Sequence, residues 1–171
     1  ARLRTLAQQF LDIARMTPAA LQLSAQEVDL SVLIRRWLQP FVLLARETDV
    51  LLHVDIPEGM SLIRLDPDRF AWVVSNLVSN ALRVSGAGDE VRVHLAQDGG
   101  EIILEVSDQG PGLPETVEAR LFEPFSHGQS AGTRDGLYGL GLAISRSIVD
   151  AHGGRIVYER LNPRGSRFRV T

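Results

Sequence analysis

Leu3, Leu6, Phe10 and Ile13 recur three and four residues apart with Arg, Gln and Asp between them, the a/d seam of a packed helix pair, and Thr17-Pro18 predicts its end. A run this short does not establish a coiled coil, so an amphipathic helix lying on its own domain accounts for the same spacing. After a polar stretch, Glu27 to Leu30 reads as a short strand, and Ser31 as the N-cap of a helix burying Leu33, Trp37, Leu38, Phe41 and Leu44. Val50 to Ile56 and Ser61 to Leu65 read as two strands around Pro57-Glu58-Gly59. Asp66-Pro67 supplies an N-cap and a first-turn proline, which predicts a helix from Pro67 to Val84. Val91 to Leu95 alternates, Asp98-Gly99-Gly100 turns and Ile102 to Val106 returns, a hairpin. A glycine-punctuated stretch leads into a helix from about Gly139 to Ala151. Strands at Arg155 to Glu159 and Phe168 to Val170 follow, around Asn162-Pro163-Arg164-Gly165. The pattern is that of an α/β fold, a two-layer sandwich whose mixed, mostly antiparallel sheet carries helices on one face.

Composition narrows the chemistry. Of 171 residues, 44% are hydrophobic, and 18 basic against 21 acidic side chains give a net charge of -3, a globular balance without the basic face of a nucleic-acid binder. A fold of this length removes roughly 70% of its unfolded surface from water, so it needs no staple. The absence of cysteine excludes disulfides, thiolate metal sites and a Cys nucleophile. All basic residues are Arg, which excludes a P-loop, a Ser/Thr-kinase ATP site and a Schiff base, each of which needs Lys. No apolar run approaches the ~20 residues of a membrane span, and no signal-peptide pattern opens the chain. Residue 1 is Ala, consistent with a piece of a longer polypeptide.

Three motifs carry candidate chemistry. Asn76 and Asn80, at i and i+4 in the helix from Pro67, share a face with Arg83 one turn on. Amide oxygens plus a cation suit Mg²⁺ and the phosphates that carry it, although such pairs also occur as ordinary surface or buried amides. Asp108-Gln109-Gly110-Pro111-Gly112 follows a strand; the carboxylate can accept from an exocyclic amine while Gly110 and Gly112 let a flat ring approach the backbone. A simple Gly-Pro turn accounts for the same residues. Third, Gly136-Leu137-Tyr138-Gly139-Leu140-Gly141 opens a helix, and free N–H groups at a helix N-terminus form an anion site suited to a di- or triphosphate.

In this order, the three motifs resemble the Bergerat-type ATP-binding fold shared by DNA gyrase, heat-shock chaperones, mismatch-repair ATPases and histidine kinases. More closely, they resemble the catalytic and ATP-binding domain of bacterial sensor histidine kinases. Leu121-Phe122-Glu123-Pro124-Phe125 is similar to that family's phenylalanine box, and His152-Gly153-Gly154 and Gly165-Ser166-Arg167-Phe168 match further. The resemblance covers the chain from Val28 onward. It implies residues 27–171 as the catalytic domain, and residues 1–26 as the end of a dimerisation-domain helix with its linker. It implies ATP and Mg²⁺ as cofactors, with Asn80 a Mg²⁺ ligand, Asn76 beside it, Asp108 on the adenine amine, and Arg83 facing phosphate. Gly139 and Gly141 would cradle phosphates, with Gly110, Gly112, Phe122, Phe125, Tyr138, Leu140 and Ser166 completing the nucleotide site. His127 stands where the family often has Arg or Lys, so it would reach phosphate or a partner domain.

The hydrolysing relatives carry a Glu four residues before the metal-binding Asn, as base for the attacking water. Here that position is Asn76, whose amide takes no proton at neutral pH. The resemblance therefore implies a kinase, transferring the γ-phosphoryl group of ATP to a histidine on the protein's own dimerisation and phosphoacceptor domain. A response regulator receiver domain follows as downstream partner, nucleic acid is not a partner, and the full-length protein would be a homodimer. The implied location is cytoplasmic, for a full-length protein that can be anchored in the inner membrane. An ATPase switch and an interaction module without nucleotide are the alternatives. Gln109 stands where Asn is commoner, and Leu137-Tyr138 predict a bulky lid within a mobile segment from Ser126 to Tyr138.

Overall fold

The computed structural model describes residues 22–124 and 140–171. The helix expected at Leu3 to Ile13 and the lid expected at Ser126 to Tyr138 lie outside them. In chain order the elements are β1 (Gln26–Val28), α1 (Leu30–Glu47), β2 (Leu51–Asp55), β3 (Ile63–Leu65) and α2 (Pro67–Val84). The hairpin β4 (Glu90–Asp98) and β5 (Glu101–Asp108), the short α3 (Glu115–Glu118), α4 (Gly141–Ala151), β6 (Ile156–Arg160) and β7 (Ser166–Val170) complete the fold. The main sheet runs β2-β4-β5-β7-β6, parallel only between β2 and β4, and β1 pairs with β3 in a separate two-stranded ribbon. It is the mixed, mostly antiparallel two-layer sandwich predicted from the pattern.

One layer of helices suffices because the strands alternate. Val91, Val93 and Leu95 of β4 and Ile102, Leu104 and Val106 of β5 are buried on the face that packs against the helices. The opposite face is charged and solvated: Arg169 Nε meets Glu105 at 2.7 Å, Arg167 Nη1 meets Glu159 at 3.2 Å, and His94 Nδ1 meets Asp55 at 2.8 Å. A second helical layer would have to desolvate these groups. Gly99 and Gly100, at φ of 56° and 94°, close the β4–β5 hairpin with two positive-φ residues, where a Cβ would be strained.

Helix α2 is the central helix, flanked by α1 and α4. Phe70, Val73, Val74, Leu77, Val78, Ala81 and Leu82 form its buried stripe at the helical period. Its start obeys the sequence: Asp66 Oδ1 accepts from the N–H groups of Asp68 and Arg69 at 3.1 and 3.0 Å, and Pro67 takes the first turn. Helix α1 corrects the sequence reading. Asp29, not Ser31, is its N-cap, accepting from Val32 N–H, while the Ser31 hydroxyl donates to the Asp29 carboxylate. The buried residues are Leu30, Ile34, Leu38 and Ala45; Leu33, Trp37 and Phe41 are half-buried and Leu44 is exposed. So many apolar residues surround this helix that its own periodicity does not fix which stripe faces α2.

Asp66 also joins the ends of the fold. Its Oδ2 accepts from Ser24 N–H at 2.8 Å, and its own N–H donates to His152 Nε2 at 3.0 Å, while Nδ1–H of that ring donates to Ile148 C=O at 2.7 Å. His152 is thus a structural clamp between α2 and the end of α4. Burial works to raise the Asp66 pKa, yet the N–H bonds from Arg69, Ser24 and Asp68 outweigh it and hold the carboxyl below its ordinary value. Asp66→Ala should therefore cost about 1–2 kcal/mol at neutral pH in urea unfolding. The part of the loss that comes from the charge should fade as acid takes the parent protein down through the lowered pKa, where the stabilisation is lost in both.

Candidate nucleotide site

Asn76 and Asn80 lie in the C-terminal half of α2, both half-buried. The Asn76 side chain points at α4: Nδ2 donates to Ser145 Oγ at 3.0 Å, and Oδ1 rests against Gly141 so closely that a Cβ there would overlap the amide. One turn on, Asn80 Oδ1 accepts from Arg83 Nη2 at 3.3 Å, and Arg83 reaches solvent. Leu140 is buried and its C=O accepts from Ile144 N–H, starting the first turn of α4, which aims its N-terminal N–H groups at this end of the fold. The spacing thus brings Asn76 and Gly141 into contact.

Asp108 ends β5 on the helix-covered face, 4% exposed, in register with Ser166 of β7, which is also buried. Burial pushes its carboxyl above the ordinary carboxylate range, the nearby charge of Asp89 adds to that, and N–H bonds from Gly110 and Ser166 pull the other way. Gly110 N–H donates to Oδ1 at 2.9 Å. A buried carboxyl held by backbone N–H groups still has acceptor capacity suited to an amine donor on a flat ring. A Cβ on Gly110 would stand 2.8 Å from both Val84 Cγ2 and Val84 O, so this glycine lets the loop seat against the end of α2. Gly110→Ala should push loop and helix apart and displace the Asp108 carboxyl that Gly110 N–H holds; for the nucleotide expected at this site, the result should be at least a tenfold loss of affinity by calorimetry, on the scale of small misplacements at a built site. Gly112 takes φ of 72°, which turns the chain onward to Leu113, whose N–H donates to the Tyr158 hydroxyl at 3.2 Å.

Phe122 is anchored elsewhere. It packs edge-on to Phe168 at 6.5 Å, and Arg146 lies over it at 5.7 Å. These contacts place it at the wall formed by α4 and β7. Phe125, His127, Tyr138 and Gly139 lie outside the described residues. Three contributors escaped the sequence reading: Ser145, Asp89 and Arg164. Ser145 stands four residues after Gly141, a spacing that could have placed it on the same helix face. Asp89, whose Oδ2 accepts from Gly86 N–H at 2.8 Å, pairs with Arg164 from the distant β6–β7 turn, and no local signal marks that pair.

For a divalent ion, the described residues hold no cluster of three or more His, Cys, Asp or Glu. The donors on hand are neutral amide oxygens, which fit Mg²⁺ brought by phosphates rather than a free-standing metal centre. None of the described helices is long and apolar enough to cross a membrane.

Residues 65–171 match the family model described as "Histidine kinase-, DNA gyrase B-, and HSP90-like ATPase". The sensor protein KdpD of Escherichia coli K12 is 34% identical over 97% of this chain, which covers 18% of KdpD. The chain spans less than half the length of the curated relatives it matches first. Among solved structures, full-length ShkA in complex with AMPPNP, an ATP analogue, is 29% identical with a TM-score of 0.83, over 99% of this chain and 35% of that one. The catalytic domain of histidine kinase ThkA, nucleotide-free, is 27% identical with a TM-score of 0.75, covering 86% of this chain and 94% of that one.

Proposed function

Because the chain belongs to the histidine kinase-, DNA gyrase B- and HSP90-like ATPase family, we propose that it is the ATP-binding catalytic domain of a two-component sensor histidine kinase. The observation that carries the choice within the family is Asn76. A side chain at this place, against the first turn of α4, would face an attacking water near the γ-phosphate, and its amide is no base. ATP bound here is protected from hydrolysis, and its γ-phosphoryl group passes to a protein side chain with ADP as the leaving group.

The residues divide the work. Asp108 accepts from the adenine amine, with Gly110 and Ser166 holding its carboxyl in place. The first N–H groups of α4 meet the phosphates, with Gly139, Leu140 and Gly141 as their cradle. Asn80 Oδ1, which accepts from Arg83 Nη2, would be the protein's oxygen for Mg²⁺, with Asn76 beside it and Arg83 directed to phosphate. A Mg²⁺ ion held there would offset negative charge on the phosphates. Phe122, Phe125, His127 and Tyr138 complete the nucleotide-binding set in this reading.

The acceptor is a histidine on the protein's own dimerisation and phosphoacceptor domain, and the phosphoryl group passes on to a response regulator receiver domain. Residues 1–26 are assigned to the end of the dimerisation domain and its linker, and 27–171 to the catalytic domain. The Ser24 N–H bond to Asp66 and β1 from Gln26 tie the last residues of that linker to the catalytic fold. The full-length protein is a homodimer with this domain in the cytoplasm. Calorimetric titration tests the reading: the chain should bind Mg-ATP, and Asn80→Ala should weaken Mg-dependent binding about tenfold while leaving ADP without metal little changed. No binding by the unmutated chain would refute it.

A further inference from the structure

We propose that Ser145 is a positioning residue for the phosphate end of the site, acting through Asn76; the inference rests on the ATP-binding reading and specifies one of its parts. Ser145 is 0% exposed in the second turn of α4, so it touches no ligand itself. Its Oγ accepts from Asn76 Nδ2 at 3.0 Å, and Gly141, one turn earlier, lies against Asn76 Oδ1. The planar amide is therefore held at both ends by one helix. The hydroxyl pins Nδ2, and the first turn of α4, where N–H groups lack intrahelical partners and the helix dipole is positive, favours oxygen at the other end. An unpinned amide can rotate about its last torsion, which is broad, and present an NH₂ donor where an acceptor is needed. Two further observations fit this role. Gly141 leaves room for the amide and nothing larger. The α2–α4 interface around the pair is otherwise apolar, with Val73, Leu77 and Ile148 buried, so the hydroxyl is a deliberate polar contact.

Ser145→Ala removes the acceptor with almost no change of shape. It should lower Mg-ATP affinity about three- to tenfold, the scale of one lost hydrogen bond, and leave metal-free ADP binding nearly unchanged. In the Asn76→Ala background the same substitution should have no further effect, because the pathway is already broken. A purely structural serine would lower affinity equally in both backgrounds and for both ligands. Should the alanine variant fail to fold, Ser145→Cys, with a weaker acceptor of similar shape, should give an intermediate affinity that again vanishes without Asn76. Equal losses in both backgrounds, or parental Mg-ATP affinity in the folded Ser145 variants, would overturn the role while leaving ATP binding standing. Failure of the unmutated chain to bind would overturn both.

Discussion

Asp108→Asn should lose ATP affinity by about one hundredfold, the upper range for a bond to a charged group, while the unliganded protein melts at least as high as the parent at neutral pH. The two results have one cause. Gly110 N–H and Ser166 N–H both donate to the Asp108 carboxyl, so in the Asn variant they draw the remaining oxygen to themselves. The new NH₂ is left facing the cleft, donor against the donor of the adenine amine. A guanine ring presents an oxygen at the same place, so preference for ATP over GTP should collapse rather than both affinities falling together. The stability effect follows from burial. Because the folded carboxyl is raised above its unfolded value, its ionised form costs stability above that raised pKa, and the cost disappears in acid where it is protonated in both states. Removing the charge should thus raise the melting temperature most at neutral pH, with the difference shrinking as pH falls through the ordinary carboxylate range. A variant that kept ATP affinity and selectivity would remove Asp108 from the site.

Local chemistry made most of this fold legible. The ends of α2 follow from Asp66, Pro67 and an apolar stripe that continues to Leu82, and the β4–β5 hairpin follows from alternation and two adjacent glycines. β5 and β7 run further than expected, because Asp108 and Ser166 continue the ladder as a register pair and are not loop residues, whereas β1, β2 and β3 are each shorter than the apolar pattern predicts. What sequence did not settle was long-range. Whether Asp29 or Ser31 caps α1 depends on which side chain reaches Val32 N–H, and the carboxylate does, with the hydroxyl turned to serve it. That β3 leaves the main sheet to pair with β1, while β2 pairs in parallel with β4, is decided by distant partners. The same division holds at the site. Asn76, Asn80, Asp108 and Gly141 stand out by spacing, whereas Ser145 and the Asp89–Arg164 pair appear only when α4 and the β6–β7 turn are folded against them.

The isolated chain should bind ATP yet neither label itself nor release phosphate appreciably. Its described histidines are committed elsewhere: His152 clamps α2 to α4, while His53 and His94 sit on the charged outer face of the sheet, beside Glu90 and Asp55. Asn76, at the place where a base for water would stand, is an amide already engaged with Ser145. Mixed with the dimerisation domain proposed above as its partner, the chain should phosphorylate that domain's histidine, slowly, because a separate domain lacks the effective concentration that a covalent linker supplies. The product should be acid-labile and base-stable. Radiolabelled ATP in four reactions separates the possibilities: the chain alone, the dimerisation domain alone, the mixture, and the mixture with Asn80→Ala. Label should appear in the mixture only, and fall at least tenfold with Asn80→Ala, in step with the loss of one transition-state contact. Label on the chain alone, or rapid phosphate release without a partner, would move the reading to an ATPase. An unlabelled mixture despite measured ATP binding would assign the chain to nucleotide-dependent interaction in place of phosphoryl transfer.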